Sequence, residues 1–158
     1  MASLPESVII REDGPREGFQ MLPDFVPTEQ KLELIRALTG TGVTSIEVTS
    51  FVRPDRVPQH ADAEAVARGL PSGTGVRFRA LYLNKKGFLR AAEFPALELE
   101  GYILLAASES FLQKNNNQTL DDAIAGIDDW LVFFAEQNVA VERVMLSTAF
   151  GDVDSGLI

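Results

Sequence analysis

Apolar residues in this chain fall into two alternating patterns, short runs rich in β-branched residues and longer stretches with helical spacing. A short apolar run bounded by polar or turn residues is typical of a buried strand of a parallel sheet. Five runs of this kind predict strands, at residues 7–11, 45–49, 76–83, 97–105 and 141–147.

Four stretches between these runs predict helices, at residues 28–38, 62–70, 84–94 and 120–134. In the last stretch, apolar residues recur every three or four positions and share one helix face: Leu120, Ile124, Ile127, Leu131 and Phe134. Thr119 followed by Asp122 resembles a capping box at its start, with Asp in place of the usual Glu. Gly40 and Gly42 suit the end of the first helix.

Strands that alternate with helices predict a parallel sheet with helical crossovers, which is the α/β class. Two architectures fit this order. An open, doubly wound sheet would be complete with five strands, whereas a (β/α)8 TIM barrel needs eight units and typically about 250 residues. Periodicity does not choose between them, and the length of 158 residues favours the open sheet.

Composition narrows the class of function. The chain is 46% hydrophobic, enough for a real core, and its net charge is −9. An acidic surface argues against a nucleic-acid partner, because phosphate contacts need clustered Lys and Arg. The sequence has no cysteine, which excludes disulfides and thiolate metal sites. No apolar stretch approaches the roughly 20 residues of a membrane span and no signal peptide is recognisable, so we expect a cytoplasmic protein.

Polar residues just after the predicted strands are the first candidates for chemistry, because ligands of α/β folds sit at the carboxyl ends of parallel strands. Arg16 and Glu17 follow the first strand, where they place a cation beside a carboxylate or form an ion pair in a solvated turn. Glu47 lies inside the second strand, where a buried carboxylate is costly unless it is paired. Glu47 therefore either takes part in function, or forms a structural ion pair with a residue such as Arg16, or does both.

Later candidates are weaker. The hydroxyls and amides after the fourth strand, among them Ser108, Ser110 and Asn115, either orient a ligand or cap the next helix. His60 is the only histidine, and a lone histidine near a helix start favours a structural role over a catalytic one. No nucleophile elbow, Walker loop or Gly-x-Gly-x-x-Gly fingerprint is present in the sequence.

Three segments resemble motifs of the 3-hydroxy-3-methylglutaryl-CoA (HMG-CoA) lyases. Residues 13–20 (DGPREGFQ) resemble the family signature Gly-Pro-Arg-Asp-Gly-Leu-Gln, and residues 46–52 (IEVTSFV), followed by Val57-Pro58-Gln59 and Asp62, resemble its second strand and loop. Residues 107–117 resemble the segment after its fourth strand through Ala107-Ser108-Glu109-Ser110-Phe111, Lys114, Asn115 and Asn117. The three occur in the family's order across almost the whole chain. The resemblance therefore favours a TIM barrel over the open sheet. Residues 1–158 would form the N-terminal part of a single catalytic domain with about five βα units and without its C-terminal strands.

The resemblance also implies an activity. The lyases split HMG-CoA into acetoacetate and acetyl-CoA with Mg2+ or Mn2+, so an acyl-CoA substrate and a divalent metal are expected. By motif match, Arg16 stabilises the enolate, Glu17 is a metal ligand and Glu47 is the acidic residue of the active site. Supporting positions that would contact the substrate are Gln20, Ser50 and Asn115. A homo-oligomer, or association through the incomplete barrel, is expected.

Two departures from the family affect these expectations. Glu17 stands where the lyases have Asp, which moves the carboxylate by about a bond length, more than the roughly 0.5 Å tolerance of a preorganised site. The His-x-His pair, Asn ligand and catalytic Cys of the family's later strands do not occur, and residues 151–156 replace its Gly-Cys-Pro-aromatic-Glu-Gly segment. We therefore expect the isolated 158-residue chain not to be a competent lyase. The alternatives are an aldolase or condensing synthase of the same barrel group acting on a 2-oxo acid, and a non-catalytic half-barrel that associates with another chain.

Overall fold

A computed structural model describes residues 4–153 and 156 of the chain, apart from the side chain of Asn116. The chain divides into two compact units, one up to Leu99 and one from Glu100 onwards. Each unit contains parallel strands joined by helices, which confirms the predicted α/β alternation. Among the described residues, no helix combines the length and apolar character needed to cross a membrane.

The first unit contains a three-stranded parallel sheet whose strands lie side by side in chain order. Its strands are β1 (Arg11–Glu12), β2 (Ser45–Ser50) and β3 (Arg77–Leu81). Its helices are α1 (Gly14–Gln20), α2 (Thr28–Thr39), α3 (Ala63–Arg68) and α4 (Lys85–Ala92), and a 3-10 turn spans Pro58–His60. All six residues of β2 are buried, as expected for the central strand of a parallel sheet.

The second unit contains a parallel pair of strands and three helices. The strands are β4 (Gly101–Ala106) and β5 (Val141–Ser147), and the helices are α5 (Glu109–Asn116), α6 (Leu120–Ala125) and α7 (Ile127–Glu136). Tyr102, Ile103 and Leu112 are buried together with Phe133 and Phe134 of α7, which gives this unit an aromatic core of its own.

Two predicted strands begin four residues later than the sequence pattern indicates. The run at residues 7–11 yields only Arg11 and Glu12 as strand, because β2 begins at Ser45, the residue opposite Arg11. The run at residues 97–105 forms continuous strand only from Gly101, since β5 begins opposite it at Val141, and before that Leu97 makes an isolated parallel bridge to Phe78. Both predictions were wrong in their first residues because a strand needs a partner beside it, and periodicity does not locate the partner's end.

The predicted helices are confirmed with one correction. The stripe at residues 120–134 is not one helix, because Gly126 ends α6 and begins α7. Glycine inside a helix is about 1 kcal/mol less favourable than Ala, so a helix tends to end where a glycine occurs. The capping box is confirmed: Thr119 accepts a hydrogen bond from the Asp122 amide, and the Asp122 carboxylate accepts one from the Thr119 amide.

Candidate functional site

The centre of the candidate site is an ion pair between Arg16 of α1 and Glu47 of β2. Nε of Arg16 donates a hydrogen bond of 2.6 Å to Oε1 of Glu47, and only 17% and 7% of the two side chains are exposed. This confirms the expected pairing of the buried carboxylate. A charge-assisted hydrogen bond between buried groups is stronger than one in water, and it fixes the orientation of the guanidinium.

Glu17 lies on the outer side of the same guanidinium. Its carboxylate pairs with the NH1 nitrogen of Arg16, and 52% of its side chain is exposed. Arg16 is thus held between two carboxylates. A guanidinium has five N–H donors, and these two bonds use two of them. As far as the described residues show, the other three donors of Arg16 remain for a ligand.

Sequence reasoning missed a second buried guanidinium, that of Arg79. It belongs to β3, stands opposite Glu47 in the strand register, and is 4% exposed. Its NH1 nitrogen lies 3.9 Å from Oε2 of Glu47, and its NH2 nitrogen donates a hydrogen bond of 3.3 Å to Asp13. Arg79 could have been found from its position in the middle of a predicted strand, because a buried charged residue has to be paired inside the fold.

A β-bulge in β2 turns Ser50 to the same side of the sheet as Glu47. The register pairs Glu47 with Arg79 and Ser50 with Leu81, with an extra residue in β2 between these pairs. Arg79 and Leu81 are two positions apart and so share a face, and their partners share it as well. Ser50 is fully buried, and its Oγ has no hydrogen-bond partner among the described residues.

His60 supports the main chain of Arg16. Its Nε2 lies 2.9 Å from the carbonyl oxygen of Arg16, so this nitrogen is the donor and carries the proton. Nδ1 is then the acceptor for the Thr49 hydroxyl at 3.4 Å. Burial lowers the pKa of His60 below 6.5, because a charged imidazole would lose its hydration there, and the nearby Lys31 acts in the same direction. These contacts agree with the structural role favoured by the sequence.

Lys31 anchors the loop that carries His60. Nζ of Lys31 donates hydrogen bonds of 2.6 Å to the Gln59 carbonyl and to Asp62, and the lysine is 1% exposed. The other carboxylate oxygen of Asp62 accepts a bond of 2.7 Å from Thr28. Asp62 therefore does not cap α3 with its side chain although it directly precedes that helix.

Two further residues, Gln20 and Asn115, were predicted to contact the substrate. Gln20 is the last residue of α1 and is partly exposed. Asn115 lies in the second unit, where its side-chain amide donates a bond of 2.9 Å to the carbonyl of Phe111 within α5. Their roles in substrate binding, like the roles of Arg16, Glu17, Glu47 and Ser50, stay predictions.

The hydroxyls after β4 form a small cluster of their own. Ser108 accepts a bond from the Phe111 amide and so caps α5, as one of the two sequence interpretations expected. Its hydroxyl lies 2.8 Å from that of Ser110, which in turn donates a bond of 3.2 Å to Asp152.

The expected divalent metal was tested against the donor groups that are present. In the described part of the chain, no three His, Cys, Asp or Glu side chains form a group that could hold a metal ion. Glu17 and Glu47 are both engaged by Arg16. Mg2+ requires near-octahedral coordination by several oxygen ligands, so these residues alone do not make a metal site.

Comparison with known proteins gives a consistent result. The family model described as HMGL-like matches residues 7–154. The cytoplasmic 3-hydroxy-3-methylglutaryl-CoA lyase of Mus musculus is 40% identical over 151 residues, which cover 96% of this chain and 43% of that protein. The mitochondrial hydroxymethylglutaryl-CoA lyase of Homo sapiens is 38% identical over 151 residues, covering 96% of this chain and 46% of that protein.

Solved structures agree with the sequence matches. The HMG-CoA lyase of Bacillus subtilis superposes with a TM-score of 0.83 at 34% identity, covering 98% of this chain and 51% of that one. An HMG-CoA lyase from Acinetobacter baumannii, solved with coenzyme A and 3-methylmalate, gives a TM-score of 0.82 at 30% identity and covers 100% of this chain and 51% of that one. These matches confirm the fold class as part of a TIM barrel. The chain spans less than half the length of the two curated relatives above.

Proposed function

This chain belongs to the HMGL-like family, and we propose that the protein carrying it is a carbon–carbon lyase. Its substrate would be HMG-CoA or a similar branched 3-hydroxyacyl-CoA, and its products acetyl-CoA and a 3-oxo acid. The observation that carries the proposal is the guanidinium of Arg16, held by the buried Glu47 with donors left for a ligand. Residues 1–158 are proposed as the N-terminal part of a single catalytic TIM-barrel domain.

The chemistry explains why such a guanidinium is useful. The bond between C2 and C3 of the substrate breaks, and its electron pair passes into the thioester as an enolate. The C3 hydroxyl loses its proton and becomes the ketone of the 3-oxo acid, and the enolate carbon takes up a proton to give acetyl-CoA. Negative charge thus develops on the thioester oxygen, where the remaining N–H donors of Arg16 would stabilise it. Glu47 would keep the guanidinium in place without reorganisation during the reaction.

The other proposed contacts rest on burial and position. Ser50 would present a buried, otherwise unsatisfied hydroxyl on the same face as Glu47, which is the arrangement expected of a hydroxyl that meets a ligand. Gln20 and Asn115 are proposed as substrate-binding residues on their motif match alone.

A divalent ion, Mg2+ or Mn2+, belongs to this proposal only through Glu17. Its half-exposed carboxylate would be the one ligand that the described part of this chain contributes. Because one carboxylate does not satisfy either ion, the remaining ligands would have to come from other residues.

The test is an assay of the full-length gene product with two kinds of substrate. With HMG-CoA and Mg2+ or Mn2+, the proposal expects acetoacetate and acetyl-CoA in equal amounts. With acetyl-CoA and a 2-oxo acid, it expects no release of free coenzyme A. The opposite pattern would identify a condensing synthase, the alternative that the Glu17 substitution favours. Pyruvate release from a 4-hydroxy-2-oxo acid would identify an aldolase.

Turnover measured together with the oligomeric state separates a third possibility. A well-folded dimer that turns over none of these substrates and needs no metal would be the non-catalytic half-barrel. Size-exclusion chromatography of the same preparation, with and without Mn2+, measures this directly. The lyase proposal expects a homo-oligomer that is active.

A further inference from the structure

Arg79 occupies an unusual place for a charged residue. It lies at the centre of β3, with 4% of its side chain exposed, between the buried Phe78 and Ala80. Burying a guanidinium costs several kcal/mol unless its donors are satisfied by polar or charged partners. The partners of Arg79 therefore show what the residue does.

Each nitrogen of Arg79 faces a different group. Nε donates a hydrogen bond of 2.6 Å to the hydroxyl of Ser45, at the start of β2. NH2 donates one of 3.3 Å to Oδ1 of Asp13, and NH1 lies 3.9 Å from Oε2 of Glu47. One side chain from β3 thus reaches the start and the centre of β2 and the residue that follows β1.

Asp13 connects Arg79 to α1. Its carbonyl oxygen accepts bonds from the amides of Arg16, at 3.1 Å, and Glu17, at 2.8 Å, and so forms the first turn of the helix. Asp is a preferred N-cap residue, yet the side chain of Asp13 makes no cap bond in α1. Its carboxylate is directed to Arg79 instead.

We propose that Arg79 is a positioning residue for the pair formed by Arg16 and Glu47. It faces the carboxylate oxygen of Glu47 that Nε of Arg16 does not bind, and through Asp13 it holds the helical turn from which Arg16 projects. Both ends of the hydrogen bond between Arg16 and Glu47 are thereby fixed to β3. The functional meaning of this arrangement rests on the proposed lyase role of Arg16, but the arrangement itself is tested without any turnover.

The test follows the Nε–H proton of Arg16 by NMR in the full-length protein labelled on arginine. The signal is assigned by its loss in Arg16→Lys. In the wild-type protein this proton is expected to exchange slowly with water, because Glu47 binds it in a buried place. In Arg79→Gln and in Asp13→Asn we expect exchange to become about tenfold faster, since residues of one hydrogen-bond network are energetically coupled. Arg79→Lys, which keeps the charge, is expected to restore part of the protection.

Two control variants separate positioning from general stability. Arg90→Gln removes another partly buried arginine, one that pairs with Glu64, and should leave the Arg16 signal unchanged. Gly87→Ala should destabilise α4. Comparing the Arg79 variants with Gly87→Ala at the same free energy of unfolding removes the contribution of global unfolding to the exchange rate.

Half of the Asp13 side chain is exposed, so Asp13→Asn is expected to fold. This variant therefore tests the proposal even if the Arg79 variants do not fold. Unchanged exchange of the Arg16 proton in Asp13→Asn and in every folded Arg79 variant would overturn the proposal. Absence of lyase activity in the wild-type protein would instead contradict the proposed function and leave this result standing.

Discussion

Nε of Arg16 and Oε1 of Glu47 lie 2.6 Å apart, and this hydrogen bond joins the first helix of the chain to the buried centre of β2. The pair explains how a carboxylate is tolerated between Ile46 and Val48, both of which are buried. It also holds a guanidinium that keeps N–H donors for a ligand.

His60 gives the protein a pH-dependent stability with a defined sign. Because its pKa is lower in the folded state, the unfolded chain binds the proton more tightly. The contribution is fully present above the ordinary pKa of about 6.5 and is lost as the pH falls from there towards the folded pKa. Chemical denaturation of the wild type and of His60→Gln at several pH values measures it. The difference in unfolding free energy should shrink below pH 6.5, and a constant difference would contradict this account.

Lys31 should be among the costly single replacements in the first unit. Lys31→Met leaves Asp62 and the Gln59 carbonyl without their buried partner, and breaking a buried pair in this way costs about 3 to 5 kcal/mol. Arg53→Met is the matched control, because Arg53 and Asp55 form a pair of the same 2.6 Å length on the surface. Urea denaturation should show a large loss for the first variant and no measurable change for the second. Equal effects would show that burial does not decide the outcome.

Gly87 in α4 is required by a close approach to the backbone. A Cβ at this position would lie 2.7 Å from the carbonyl oxygen of Phe51 and 3.3 Å from Cβ of Tyr82. Gly87→Ala should therefore destabilise the protein by about 1 to 3 kcal/mol through overpacking. Gly18→Ala meets no atom within 4 Å and should stabilise α1 by up to about 1 kcal/mol. Thermal unfolding of the two variants compares them, and a stabilised Gly87→Ala would show that the contact relaxes freely.

The isolated 158-residue chain should bind Mn2+ weakly or not at all. Glu17 is a half-exposed carboxylate beside Arg16, and the described residues contain no group of three metal-ligating side chains. Isothermal titration with Mn2+ should give no saturable heat in the micromolar range, for the wild type and for Glu17→Gln alike. Tight binding to the monomer that disappears in Glu17→Gln would contradict this.

The sequence located the strands better than it located their ends. The predicted run at residues 141–147 agrees with β5, which pairs with β4 from Val141 to Ser147. Residues 7–10 have an equally good strand pattern, but they extend past the beginning of β2 and pair with no strand in the described part of the chain. Helix α1 was missed because Gly14 and Pro15 indicate a turn, although proline also suits the first turn of a helix.

The site was predictable where a single residue carries its own signal. Glu47 stood out because a carboxylate in an apolar strand needs a partner, and Arg16 proved to be that partner. The same reasoning would have identified Arg79, but nothing in the sequence shows that it lies opposite Glu47. The β-bulge was not predictable either, because strict alternation places Ser50 on the face opposite Glu47.

The central claim is that the guanidinium of Arg16, held by Glu47, stabilises charge in the reaction. The most direct measurement is kcat for HMG-CoA cleavage by the full-length protein and by Arg16→Lys, with Arg90→Lys as the control. Arg16→Lys should lower kcat by about a hundredfold to a thousandfold, the usual effect of removing a preorganised donor to a developing oxyanion, while Arg90→Lys should not change it. An Arg16→Lys variant with kcat within about twofold of the wild type, roughly 0.4 kcal/mol, would contradict the account.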